Sequence, residues 1–187
     1  LAKESTSWTL SVGTKYWLPK LSGVMKPVVE HVTDESGYWV IESSYDSQAV
    51  RETTETNLEG IVRDIAFGIL LKAAFGTEAS VAKSAPNGAV YDHTFTVLQS
   101  NNHPSLSIWA YDPVATFTST YNMVEELKVS ATAGDYVKFN VNLKGKKQTS
   151  ASTPSVSYTA DNAFLARHVE LYVATSEAGL DVASALK

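Results

Sequence analysis

Asp135-Tyr136-Val137-Lys138-Phe139-Asn140-Val141-Asn142-Leu143-Lys144 alternates without a break. Val137, Phe139, Val141 and Leu143 fall on one side, and Lys138, Asn140, Asn142 and Lys144 on the other. A period of two is that of an extended strand with one dry face and one wet face. Ala133-Gly134-Asp135 has the composition of a tight turn. Before it, residues 126–132 alternate again, with Leu127, Val129 and Ala131 inward. The two segments read as a hairpin.

The same pattern recurs outward from this hairpin. Residues 105–112 set Leu106, Ile108 and Ala110 against Ser107, Trp109 and Tyr111, and residues 93–99 carry Phe95 and Val97 on one face. The 105–112 strand is apolar on both faces, as a strand covered by sheet on one side and by a helix on the other would be. Residues 49–58 place Val50, Glu52, Thr54, Thr56 and Leu58 on one face and Arg51, Thr53, Glu55 and Asn57 on the other. Residues 27–32 and 168–174 complete the expected strands. One helix is expected over 60–75, where Ile61, Val62, Ile65, Ile69, Leu70 and Ala73 give a broad apolar face. Gly76 stands at its left-handed C-cap. Gly68 costs roughly 1 kcal/mol against Ala inside a helix, which implies close packing on a sheet.

The rest is connection. Residues 1–21 read as an N-terminal arm or edge strand, 33–47 as a long excursion or hairpin rich in acidic and aromatic residues, and 77–92 as a loop. Residues 144–162 are a flexible loop dominated by Lys, Ser, Thr, Ala and Pro, and 180–187 a frayed helix. The expectation is one mainly β domain over 1–187: a β-sandwich or barrel-like fold with one flanking helix and long loops or arms.

With 187 residues, such a domain buries roughly 70% of its unfolded surface. Only 19% of residues are charged, which leaves uncharged polar surface suited to burial against a partner. A net charge of −5 argues against a protein that grips nucleic acid by its phosphates. There is no cysteine, hence no disulfide frame or thiol nucleophile. The longest apolar stretch, 65–75, is too short for a bilayer, and the first residues lack the pattern of a signal peptide.

No chemistry-bearing constellation emerges. His31, His93, His103 and His168 show no metal-ligand spacing. No Gly-x-Ser-x-Gly elbow or phosphate-cradling glycine loop occurs. Glu125-Glu126 and Glu52/Glu55 read as solvated surface rather than an acid–base pair. Trp109 and Tyr111 form an aromatic stripe that serves as core, as an interface or as a stacking platform. No catalytic residue, cofactor or metal is therefore expected, and the chain reads as a non-enzyme.

The order of features resembles a known family. The carrying residues run from Leu58-Glu59-Gly60 to Lys72-Ala73-Ala74-Phe75-Gly76, then Tyr91-Asp92-His93-Thr94-Phe95-Thr96-Val97. They continue through Pro104-Ser105-Leu106-Ser107-Ile108-Trp109, Val124-Glu125-Glu126-Leu127-Lys128-Val129-Ser130-Ala131 and Lys144-Gly145-Lys146-Lys147. With Ala2-Lys3-Glu4-Ser5 and the Glu35/Gly37 region, this resembles the major tail (tail tube) proteins of long-tailed bacteriophages over most of 1–147. The match is one of strand, turn and helix order, without a catalytic signature.

The resemblance implies a tail-tube fold whose copies close into rings of six. The rings stack into a tube, in the virion tail after assembly in the host cytoplasm, that passes DNA and tape-measure protein without specific binding. Tail terminator and tail-tip proteins would be its other partners, and no membrane is involved. Arg51, Thr53, Glu55, Asn57, Lys138, Asn140, Asn142 and Lys144 are candidates to face the lumen. Asp34, Glu35, Tyr38, Trp39 and Tyr45 are candidates for contact between rings. The lysines depart from the expectation, because they attract DNA unless glutamates across subunit seams pair with them. The alternative is a monomeric β-sandwich module that binds carbohydrate or a receptor on Trp39, Trp109 and Tyr111.

Overall fold

A computed structural model describes residues 1–4, 9–11, 15–35, 46–84, 90–100, 102–155 and 160–170. The strands are β1 (Ala2–Lys3), β2 (Ser22–Asp34), β3 (Asp46–Ile61), β4 (Gly76–Ala82), β5 (Tyr91–Val97), β6 (Leu106–Tyr111), β7 (Thr116–Ser130), β8 (Lys138–Lys146) and β9 (Thr149–Ser150). Helix α1 spans Gly68–Phe75. Every pairing is antiparallel. The main sheet runs β1-β6-β7-β8-β3-β2, with β9 also on β7, while β4 and β5 form a separate ribbon. The protein is mainly β with one α-helix, in a sandwich-like arrangement. No closed barrel forms among the described residues.

β7 makes the fold turn a corner. Its first half pairs with β6 and β9, and its second half pairs with β8. At the break Tyr121 has φ 55°, and the register shifts on both sides. A bulged, twisted strand shared by two sheet halves is how sandwiches make corners. Buried polar groups hold this one. Asn122 is fully buried; its Nδ2 donates to the carbonyls of Leu106 and Ser119, both at 2.9 Å. The Glu4 carboxylate accepts from Ser105 Oγ (2.6 Å), Ser107 Oγ (2.8 Å) and the Tyr121 N–H (2.7 Å). That last bond satisfies the backbone of the left-handed residue and ties β1 across the corner. Inside, Leu106 and Ile108 share one core with Leu58, Phe139, Val141, Leu143, Phe67 and Leu70.

β8 follows the alternation of the sequence: Val137, Phe139, Val141 and Leu143 are all 5% exposed or less. On β3, Thr54, Thr56 and Leu58 point inward. Pro27 sits on β2, at the edge of the sheet, where a missing N–H is tolerated.

Several expectations need correction. The helix begins at Gly68, not 60. Gly60 and Ile61 finish β3 opposite Phe139 and Lys138, and the Val62 N–H bonds to Val137 O at 2.8 Å. Pairing with β8 and Val137 holds residues 60–62 extended, so the helical spacing of Ile61 and Val62 is coincidental, while Ile65 lies in the turn that leads into the helix. Gly68 opens the helix with no atom within 4 Å of a notional Cβ, so it marks no close packing. Gly76 does take the expected C-cap, at φ 100°.

Residues 77–92, expected as a loop, contain all of β4 but Gly76 and the first two residues of β5. Residues 144–162 contain the end of β8 and β9, because a polar stretch can still supply ladder hydrogen bonds. Ala166–His168 form a 3-10 turn rather than the start of a strand. The rest of 168–174 beyond Glu170, and 180–187, lie outside the described residues. Val129 and Val97 are more than half exposed, and Ala131 lies past the end of β7. Tyr111 is 67% exposed, so the 105–112 strand is not covered on both faces along its length.

Candidate functional site

Register assembles one broad polar surface from four neighbouring strands. Lys26 lies opposite Glu55, which lies opposite Lys144. Asn57 lies opposite Asn142, and Asn142 opposite Glu126. Glu59 lies opposite Asn140, and Asn140 opposite Lys128. Arg51 pairs with Glu30, Thr53 with Lys146, and Lys138 with Ser130. Arg51, Thr53, Glu55, Asn57, Lys138, Asn140, Asn142 and Lys144 therefore stand on one continuous face of the β2–β3–β8–β7 part of the sheet. Burial of the opposite face dictates this. A slip of one residue on β3 or β8 would turn Thr54, Leu58, Phe139, Val141 and Leu143 to solvent.

A chain of amides and carboxylates crosses the strands. Asn57 Nδ2 donates to Asn142 Oδ1 (2.6 Å) and to Asn140 Oδ1 (3.3 Å). Asn140 Nδ2 donates to Glu59 Oε1 (2.8 Å), Asn142 Nδ2 to Glu126 Oε2 (3.2 Å), and Ser22 Oγ to Glu59 Oε2 (3.0 Å). Asn57, Glu59, Glu126, Asn140 and Asn142 line an open concavity of about 500 Å³. The cations are matched in the same way. Arg51 meets Glu30 at 3.7 Å, Lys144 meets Glu55 at 3.4 Å, and Lys128 meets Glu126 at 2.9 Å. Lys138 pairs with Asp135, whose carboxyl is held below its ordinary pKa first by the Lys138 hydrogen bond and then by the Tyr136 N–H. Lys128, Lys138 and Lys144 thus find carboxylates within the same chain.

Of the other candidates, Asp34 ends β2 opposite Asp46, and Glu35 follows it, exposed. Tyr38, Trp39 and Tyr45 lie outside the described residues. Trp109 and Tyr111 border a second cavity, of about 680 Å³, with Tyr16, Trp17, Leu58 and Ile108. Lys15 Nζ stands 5.5 Å from the Trp109 ring centre. The Thr56 hydroxyl also lines this cavity, is buried, and has no hydrogen-bond partner among the described residues.

One cluster has no signal in the sequence, because Glu78 and Ser80 fall in the expected 77–92 loop and His93 at the start of the next strand. Glu78 on β4 accepts from Lys72 Nζ (2.6 Å) and Ser80 Oγ (2.9 Å), and contacts His93 Nδ1 at 3.0 Å. The Lys72 hydrogen bond, then Ser80, holds its carboxyl down at about 2. Ser80 Oγ lies 2.9 Å from the same Nδ1. A serine–histidine–acid relay needs serine and acid on opposite ring nitrogens; here both meet one, so the cluster is an anchor between α1 and the ribbon. No group of His, Asp and Glu among the described residues could hold a metal ion. No helix among them is long and apolar enough to cross a membrane.

No protein-family model matches the chain, and no curated protein matches it.

Proposed function

We propose that this chain is the structural subunit of a phage tail tube, assembling as stacked rings of six into a conduit for genome delivery. What supports the reading most is the continuous, internally paired polar face that carries all eight candidate lumen residues. Such a surface is wet, close to neutral and without a pocket of convergent catalytic groups, as a passage for DNA requires. β2 adds to this: its outer edge has no partner among the described residues, and Val24, Val29 and Val32 on it are exposed. An unpaired, partly apolar edge is a template for another chain. A head-to-tail contact that closes makes a ring.

In this reading the chain catalyses nothing, the lumen holds tape-measure protein and then DNA without specific contacts, and terminator and tip proteins cap the tube. The ribbon formed by the ends of β2 and β3 leads into the 33–47 segment, the proposed contact between rings. Sedimentation of the concentrated full chain tests this. Species at multiples of six over the 20.2 kDa subunit are expected, and a single 20.2 kDa species would oppose it. Deleting 33–47 should leave folded subunits that form no tubes; unimpaired tubes would remove that segment from the account.

The aromatic cavity at Trp109 and Tyr111 favours a second reading, a carbohydrate- or receptor-binding module. Titration of tryptophan fluorescence with a glycan panel distinguishes it, since a conduit subunit gives no saturable response.

A further inference from the structure

We infer that Glu30, Glu55 and Glu126 are charge masks: they neutralise a cation-rich sheet face that would otherwise bind duplex DNA. The inference deepens the conduit reading and rests on it for its biological sense, while its chemistry is a property of the single subunit.

The chain carries −5 overall, yet six cations, Arg51, Lys26, Lys128, Lys138, Lys144 and Lys146, stand on this one face against the four carboxylates of Glu30, Glu55, Glu59 and Glu126. Cations gathered on one surface are the electrostatic footprint of a polyanion-binding site. Neighbouring strands lie about 4.8 Å apart and same-face residues about 6.6 Å apart along a strand. The cations are therefore close enough to act on one phosphate backbone together. Each of Arg51, Lys144 and Lys128 is instead bound to a carboxylate 2.9 to 3.7 Å away. Seen from beyond a Debye length of about 10 Å, such a pair presents a dipole and not a charge.

The pairs also contribute little to stability. Their side chains are 44% to 68% exposed, and exposed ion pairs are weak. Ion pairs that are nearly neutral for folding yet cancel the local charge point to a role in the surface potential. The amides of Asn57, Asn140 and Asn142 fill the centre of the same face with groups that carry no charge at all.

The test compares three full-length chains for binding a short DNA duplex by fluorescence anisotropy: wild type, E30Q/E55Q/E126Q, and a control, E35Q/D46N/D112N, with the same net charge. The masked wild type and the control should give no saturable binding. The triple variant should bind at about 50 mM salt and weaken about 40-fold by about 200 mM, the slope for three phosphates neutralised. Restoring Glu126, as E30Q/E55Q, should lower the logarithmic salt slope by about 0.9 and serves as the probe if the triple variant does not fold. Folded variants that stay inert, or a control that binds equally well, would overturn the inference. Tubes formed by a chain whose triple variant never binds would overturn the masking alone. Binding by a triple variant of a chain that never assembles would overturn the conduit reading and leave the masking intact.

Discussion

Two polar networks in this protein use the same functional groups under opposite solvation. At the β7 corner, Glu4, Asn122, Ser105, Ser107 and Ser119 are 5% exposed or less, and their hydrogen bonds fix the backbone. On the β2–β3–β8–β7 face, Asn57, Asn140, Asn142, Glu59 and Glu126 bond to one another at the margin of solvent. A buried amide or carboxylate that loses a partner bears its full desolvation penalty, whereas an exposed one replaces the partner with water. The corner should therefore determine whether the chain folds, and the face what the folded chain does to its surroundings.

The largest expected effect tests the corner. Asn122→Ala leaves the Leu106 and Ser119 carbonyls without their donor and opens a void, and should cost about 2 to 4 kcal/mol by urea denaturation. A loss below about 1 kcal/mol would show that the corner does not depend on this amide. Gly76→Ala comes next. It imposes a side chain at φ 100° and brings Cβ to 2.5 Å from Leu98 Cβ, so about 1 to 3 kcal/mol should be lost.

A smaller effect concerns the Glu78 anchor and has a defined sign. The Glu78 carboxyl is depressed from 4.5 to about 2, so its contribution is present above pH 4.5 and is lost as pH falls toward 2. Unfolding free energies of wild type and Glu78→Gln should differ by about 1 kcal/mol at neutral pH after solvent screening, and converge near pH 2. A gap independent of pH would show that Glu78 acts through packing. The smallest effect falls on the open face: Asn142→Ala should change stability by no more than about 0.5 kcal/mol. A cost matching that of Asn122→Ala would erase the distinction between the two networks.

The legibility of the sequence follows the same division. β8 is readable residue by residue because Val137, Phe139, Val141 and Leu143 face the core and Lys138, Asn140 and Asn142 do not. The candidate face follows from that alternation and its counterpart on β3. The first half of β7 was hidden because its buried residues, Thr116, Thr118, Ser119 and Asn122, have the composition of a loop. β5 is legible from residue 93 onward, but its partner β4 is not, for the opposite reason: no residue of β4 is buried, so burial imprints no alternation. The start of α1 is illegible because Ile61 and Val62 belong to strand pairing and happen to fit helical spacing. Charge pairing across the face, such as Lys144 with Glu55, depends on register, which composition along one strand does not contain.

The central claim is that this face and the outer β2 edge, unpartnered among the described residues, belong to a self-assembling conduit. Negative-stain electron microscopy of the concentrated full chain tests it most directly. The account predicts tubes or six-fold rings with an open centre; a field of small, monodisperse particles would contradict it.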